Sequence, residues 1–248
     1  ASKEEQALLV LDDRLFVPPY VGGKGWVGVW LDRDPEWALV EALLRAGHEV
    51  TGVTLSHEQH ALATQRLAEA GLAERTHIEL LDYRRLQGRF DAIVSIEMLE
   101  AVGHRGLATF FETCDRLLAP GGRIVVQVIT IADQRYDEYR RRPDWIQKWI
   151  FPGGHLPSLQ ALGDAMTRHS SLVVRRVEGF GLDYARTLAL WRTRLDARLD
   201  EARALGLDDA FLRRWRYYLH YCEAGFRSGE IDVVQMVLSR PLTAAPRA

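Results

Sequence analysis

The stretch Val50-Thr-Gly-Val-Thr-Leu-Ser-His-Glu-Gln59 decides the fold of this chain, because a buried-strand pattern there runs straight into a segment that starts its own helix. Ser56 followed at the third position by Gln59 has the spacing of a capping box. In that motif the serine hydroxyl and the glutamine amide each satisfy a backbone N–H that a helix start leaves orphaned. The turn also lies at the carboxyl end of a strand, which is where ligands bind in an open parallel sheet. Residues 54–59 are therefore the first candidate site.

Working outward, strand and helix signals alternate from about residue 25 onward, the pattern of a doubly wound, Rossmann-like, mainly parallel α/β sheet. The candidate strands are residues 26–31, 49–53, 77–81, 92–96 and 123–129, followed by 172–177 and 232–238. Between the fourth and fifth, Leu107, Phe110, Phe111, Cys114, Leu117 and Leu118 fall on one helical face, which Pro120-Gly121-Gly122 should stop. Two segments break the alternation. Residues 133–166 are aromatic and basic, with Arg140, Arg141, Arg142, Trp145, Trp149 and Phe151. Residues 185–227 are helical and carry Trp191, Trp215, Tyr217, Tyr218, Tyr221 and Phe226. Such insertions would cover the carboxyl edge of the sheet and shape an apolar tunnel; a packed helical cap with core aromatics is the other arrangement they allow.

Composition narrows the function classes. A chain of 248 residues with 47% hydrophobic content can bury one large core. A net charge of −2 leaves no nucleic-acid footprint, so no nucleic-acid partner is expected. Cys114 and Cys222 match no metal spacing and suit a reducing cytoplasm, with Cys114 expected as a buried thiol on the apolar helical face. No run approaches the ~18 consecutive apolar residues of a membrane span. Membrane contact is therefore expected to be peripheral, at the inner face.

The turn at residues 51–59 is the first of several landmarks. Phe90-Asp-Ala-Ile-Val-Ser-Ile-Glu-Met-Leu-Glu-Ala-Val-Gly103, Phe151-Pro-Gly-Gly-His-Leu-Pro-Ser158, Gly181-Leu-Asp-Tyr184, Tyr217-Tyr218, Ala224-Gly-Phe-Arg227 and Gln235-Met-Val-Leu-Ser-Arg240 follow in order. Together these resemble the cyclopropane-fatty-acid synthase family over residues 46–240. The resemblance implies a methyltransferase dependent on S-adenosylmethionine (SAM) that acts on double bonds of unsaturated phospholipid acyl chains. It places Asp32, Thr54, Leu55, Gln59, Asp82, Tyr83 and Ile96 in the cofactor-binding set. Within that set, Asp82 would accept from the adenine amino group and Tyr83 would stack on the base. Thr54 and Gln59 could equally do no more than build the capped turn, and Asp82 could simply end a strand.

The chemistry implied by the resemblance sets further requirements. Methyl transfer to an alkene leaves a cation on the acyl chain, which aromatic faces can stabilise and from which a general base must take a proton. In the family a bound bicarbonate is thought to be that base, and the residues matching its ligands here are Glu100 and Tyr184. Two other matching positions have changed, to Pro35 and Gln127, and the histidine that commonly follows the glutamate is Ala101. Bicarbonate is accordingly expected to be held poorly or not at all, and simple methylation or methylene formation is as consistent with the residues as ring closure. His104 lies nearby and could be a solvated helix start.

The first 38 residues depart from the family. Where a Gly-Cys-Gly-Trp-Gly turn is expected, the chain reads Asp32-Arg-Asp-Pro-Glu-Trp-Ala38. Proline removes one N–H there, and acids stand where the carboxylate of the cofactor would sit, so SAM binding should be weak. Upstream, Phe16-Val-Pro-Pro-Tyr-Val-Gly-Gly-Lys-Gly-Trp-Val-Gly resembles the small MmcQ/YjbR family. Residues 1–38 thus read as a segment of one family supplying the first strand, paired beside residues 49–53, and residues 39–248 as the methyltransferase-like body of another. The other readings are an inactive methyltransferase-fold protein that binds lipid or a partner and, more remotely, a nucleic-acid-associated protein.

Overall fold

A computed structural model describes residues 48–241 together with the pairs Leu15–Phe16 and Gly28–Val29. Asp32, Pro35 and the glycine-motif position lie outside the described residues. β1 (Leu15–Phe16) and β2 (Gly28–Val29) form an antiparallel ladder. The described part of the 26–31 segment thus pairs with β1, and among the described residues it has no ladder with the strand at residue 50.

The chain divides into two compact units, residues 1–86 and 87–248. In the first, β3 (Val50–Thr54) leads into α1 (His57–Glu69), which returns to β4 (Thr76–Leu80), parallel to β3 in register Val50↔Thr76 through Thr54↔Leu80. This is the βαβ crossover expected from the opening stretch. A Cβ on Gly52 would lie 2.8 Å from Ile78 Cδ1, so any larger residue there would have to displace the end of that side chain.

The second unit is built on a four-stranded sheet of order β5-β6-β8-β7. Its strands are β5 (Phe90–Ile96), β6 (Leu118–Ile131), β7 (Val173–Gly179) and β8 (Ile231–Ser239). β5 and β6 are parallel, and β8 runs antiparallel to both β6 and β7. Only β8 is reversed, so the fold is α/β with mostly parallel strands. The helix between β5 and β6, α2 (Gly103–Leu117), buries Leu107, Phe110, Phe111, Cys114 and Leu117 on the predicted face. Leu118 already belongs to β6, so Pro120-Gly121-Gly122 interrupts the strand register rather than stopping the helix. Gly121 sits at φ +77°, and a Cβ on Gly122 would meet the Asp91 carbonyl at 2.8 Å.

Between β6 and β7 lie α3 (Asp133–Tyr139), α4 (Trp145–Trp149) and α5 (Leu159–His169). Before β8 come α6 (Gly181–Ala197), α7 (Leu199–Ala204) and α8 (Asp209–Ser228). α6 and α8 pack together, burying Ala185, Leu188, Leu219, Cys222 and Phe226 with Val233 of β8, and Trp191, Trp215 and Tyr218 pack against that cluster. Phe226, Trp191, Trp215 and Tyr218 thus pack into a helical cap, whereas Trp149, Phe151, Tyr217 and Tyr221 stay exposed. Cys114 is buried as expected, and burial pushes its thiol up to about 12. Asp115 on α2 is buried as well, and Arg240 Nε meets its Oδ1 at 2.6 Å. Removing either partner would leave an unpaired buried charge.

Candidate functional site

The residues of the first unit expected on the cofactor side lie at the ends of β3 and β4. Ser56 caps α1, its hydroxyl accepting from the Gln59 N–H at 3.2 Å. The reciprocal half of the capping box does not form. The Ser56 N–H donates instead to the Thr54 hydroxyl at 3.1 Å, and that hydroxyl donates to Gln59 Oε1 at 2.7 Å. A threonine directly before the turn competes for the serine N–H and wins because it is nearer. A full capping box occurs elsewhere, at Asp144 and Gln147.

Leu55 projects from this turn, 74% exposed. After β4, Asp82 caps the short turn Tyr83–Arg85, accepting from the Arg84 N–H at 3.0 Å and from its guanidinium at 2.9 Å. Those bonds hold the Asp82 carboxyl down at about 2. Asp82 is therefore ionised but not idle. Arg84 also reaches the other carboxylate oxygen, so both oxygens of Asp82 are engaged by the same residue and an exocyclic amine would have to share them with its guanidinium. A hydroxyl, an amide, a carboxylate and an exposed leucine at the carboxyl ends of parallel strands suit an amino acid–nucleoside ligand such as SAM.

The chemistry-side residues belong to the second unit, at the carboxyl end of β5. Ile96, the last residue of the strand, is 44% exposed. Glu97 follows with φ +50°, the only left-handed non-glycine among the described residues. For an L-residue that conformation costs about 1–2 kcal/mol. It persists because the Glu97 N–H donates to the Gln127 carbonyl at 2.9 Å while its carboxylate accepts from Gln127 Nε2 at 2.9 Å and from the Tyr184 hydroxyl at 2.8 Å. Gln235 on β8 in turn donates to Gln127 Oε1 at 2.9 Å.

Glu100 lies in the next turn, Leu99–Ala101. Its Oε1 accepts from the Ile129 N–H at 2.6 Å, whereas Oε2 is buried with no hydrogen-bond partner among the described residues. Burial raises this carboxyl to about 7, with the nearby charge of Glu97 adding to the rise. Tyr184 on α6 is pushed well above the ordinary phenol range by burial and by Glu97, and Glu100 contributes to the same rise. Its ring stands 5.2 Å from that of Phe226 within the cap cluster.

The structure thus brings Glu100 and Tyr184 into one electrostatic neighbourhood, but the hydrogen bond of Tyr184 goes to Glu97. The sequence reading passed over Glu97, although it stands inside a quoted landmark three residues before Glu100. An acid directly at a strand exit was the available signal. Gln127, read as a lost ligand, is instead the centre of the Gln235–Gln127–Glu97–Tyr184 chain. His104 stands exposed at the start of α2, and its Nδ1 lies 2.7 Å from the Tyr136 hydroxyl, which lies 2.9 Å from Nε2 of the buried His155.

Comparison with known proteins places this geometry. The tuberculostearic acid methyltransferase UfaA1 of Mycobacterium tuberculosis is 45% identical over 201 residues, 81% of this chain and 47% of the relative. The cyclopropane-fatty-acyl-phospholipid synthase of Escherichia coli K12 is 37% identical over 212 residues, 85% of this chain and 53% of the relative. The chain spans about half the length of these two relatives. Among solved structures, mycolic acid cyclopropane synthase CmaA1 complexed with SAH and CTAB superposes with a TM-score of 0.72 at 29% identity, covering 81% of this chain and 73% of that one. The sequence profile of mycolic acid cyclopropane synthetase matches residues 36–236, which include both strand exits described above, and the chain belongs to that family.

Proposed function

We propose that this chain is a SAM-dependent C-methyltransferase acting on the double bond of an unsaturated fatty acyl lipid. The observation that carries the reading is Glu100, a buried carboxyl with one oxygen anchored to a main-chain N–H and the other without a partner, beside a tyrosine in an aromatic cluster. Bound SAM would supply the methyl group, and Thr54, Leu55, Gln59, Asp82 and Tyr83 are the residues of the first unit that would hold it.

The remaining work falls to residues of this chain. Tyr184 and the aromatic faces around it present electron-rich surfaces to a positively charged acyl chain. Glu100, raised toward neutrality, is suited to take a proton at ordinary pH, since a general base works best with its pKa near the operating pH. Asp32 would join the cofactor set, with affinity reduced by the absent glycine turn. The substrate side is supported by the two relatives, whose names specify a tuberculostearic acid methyltransferase and a cyclopropane-fatty-acyl-phospholipid synthase.

Access to such a lipid would come from the membrane surface. No helix among the described residues is long and apolar enough to cross a membrane. Arg140, Arg141 and Arg142 are exposed, and Trp149 and Phe151 are each 50% exposed. Basic side chains beside half-exposed aromatics suit an anionic lipid interface.

The test is methyl incorporation from labelled SAM into vesicles of dioleoyl against dipalmitoyl phosphatidylglycerol. Label should enter only the unsaturated lipid. Equal incorporation into both would reject the double bond as the acceptor, and vesicle binding without incorporation would favour an inactive lipid-binding protein.

A further inference from the structure

We propose that Glu97 and Glu100 together form the proton-accepting site of this chain and that the site takes no bicarbonate: Glu97 positions Tyr184, and Oε2 of Glu100 receives the proton from the alkylated acyl chain. The inference rests on the methyltransferase reading above and assigns a residue, Glu97, which that reading leaves without a role.

The groups at this strand exit do not fit a small anion. The Tyr184 hydroxyl and the Gln127 amide both donate to Glu97, the Gln235 amide donates to Gln127, and the Ile129 N–H donates to Glu100. Each of these donors already ends on a protein oxygen. An added bicarbonate would meet the carboxylates of Glu97 and Glu100, and like charges at close range disfavour it. Glu97 also sits at φ +50° with its N–H tied to Gln127. Residues kept in such sparsely populated conformations cluster at functional sites.

The carboxylates have different tasks because their surroundings differ. Gln127 and Tyr184 both donate to Oε1 of Glu97, so that oxygen is the one that holds the tyrosine hydroxyl. Glu100 keeps Oε2 open. In the proton-removal step either a C–H bond of the transferred methyl group breaks and its electron pair closes the ring onto the cationic carbon, or a C–H bond on a carbon next to the cationic carbon breaks and its pair forms a new double bond. The proton passes to Glu100 Oε2, which becomes a neutral acid and later releases the proton to water. Glu97 is a positioning residue: it fixes the Tyr184 hydroxyl, and its charge strengthens Glu100 as a base. The titratable groups facing Glu100 are Glu97 at the exit of β5 and Tyr184 on α6, while His155 reaches it through a main-chain N–H. Tyr218 on α8 also feels the charge of Glu97.

The test uses the full chain in two measurements. In carbonate-free buffer with SAM and dioleoyl phosphatidylglycerol vesicles, adding millimolar bicarbonate should change the parent rate by less than about twofold. Infrared titration of the protein without substrate should show a protonated carboxyl band lost near neutral pH. That band should be absent in Glu100→Gln and displaced by about one unit to lower pH in Glu97→Gln, because removing the neighbouring charge eases ionisation. A merely structural Glu97 would not move it. Strong stimulation of the parent by bicarbonate overturns the proposal, as does an unmoved band in a folded Glu97→Gln variant. If that variant does not fold, the bicarbonate response of the parent and the Glu100→Gln spectrum decide the question. Absence of methyl transfer alongside the expected infrared titration overturns the methyltransferase reading and leaves the carboxylate pair supported.

Discussion

β3 and β5 both end in a short turn that opens toward a helix, yet their polar groups close over very different distances along the chain. After β3, the Thr54 hydroxyl reaches Gln59, five residues on, and Ser56 reaches Glu58 and Gln59. After β5, Glu97 is bound by Gln127, 30 residues away, and by Tyr184, 87 residues away, while Glu100 is bound by Ile129, 29 residues away. The first turn is exposed and satisfied by its own neighbours, so it forms whenever its strand and helix form. The second exists only when β6 and α6 are in place, and it retains a left-handed glutamate and an unpartnered carboxylate oxygen. A self-contained turn suits a ligand that comes and goes; an over-determined one can hold a group in a costly state.

The largest effect that could break this contrast is at Glu100. Glu100→Gln should lower product formation by about 100- to 10,000-fold, the range for loss of a general base. SAM affinity, measured by calorimetry, should be nearly unchanged, and a parallel loss of both would place Glu100 in cofactor binding. The same substitution should act on stability with the opposite sign. The folded-state pKa of Glu100 is raised from 4.5 to about 7, so folding favours the protonated form. Between those values the folded protein binds the extra proton, and stability falls as pH rises through about 7. Glutamine removes that penalty, amounting to roughly 3 kcal/mol at alkaline pH. Thermal melting should therefore show Glu100→Gln more stable than the parent above about pH 8, with the gap closing toward acid. A pH-independent difference would mean that the carboxyl titrates normally.

How far the sequence could be read follows from the same contrast. The β3–α1–β4 crossover was legible because strand, cap and helix are contiguous, and the face of α2 was legible because its period is local. Even there the cap was only half right, since Thr54 took the N–H that the motif assigns to Gln59. At the second turn Glu100 and Tyr184 could be matched as landmarks, but their partners could not. Which acid Tyr184 would bind depends on where α6 delivers its ring relative to β5, and no spacing along the chain encodes that. Arg240 was likewise only a landmark residue until β8 brought it to Asp115.

A smaller effect sharpens the first turn. Ser56→Ala removes the acceptor for the Gln59 N–H and should cost about 1 kcal/mol, the usual loss at an N-cap. Thermal melting measures it, and Ser56→Gly should lose less, since glycine is tolerated at that position. If Ser56→Ala melts with the parent, the Thr54 hydroxyl has taken over the cap and the turn is more redundant than its bonds indicate.

The smallest effect on stability belongs to Asp82, and it separates structure from binding. Its carboxyl is held at about 2, chiefly by the side-chain bond from Arg84 and then by the Arg84 N–H. Because the folded pKa lies below the ordinary 3.8, any contribution is present above that value and lost as pH falls through about 2. Asp82 is partly exposed and its partner Arg84 is exposed, so solvent and salt screen the pair, and Asp82→Asn should leave the melting temperature at neutral pH nearly unchanged. SAM binding should respond more. If Asp82 takes the adenine amino group in place of part of its contact with Arg84, an amide is a poorer acceptor than a carboxylate, and calorimetry should show affinity several-fold weaker. Arg84→Ala supplies the complementary arm: freeing the carboxylate from its guanidinium should leave binding intact or improve it. If Asp82→Asn and the parent bind SAM alike, the aspartate serves only to end β4 and hold Arg84, and the first turn must recognise its ligand through Thr54, Gln59 and Tyr83.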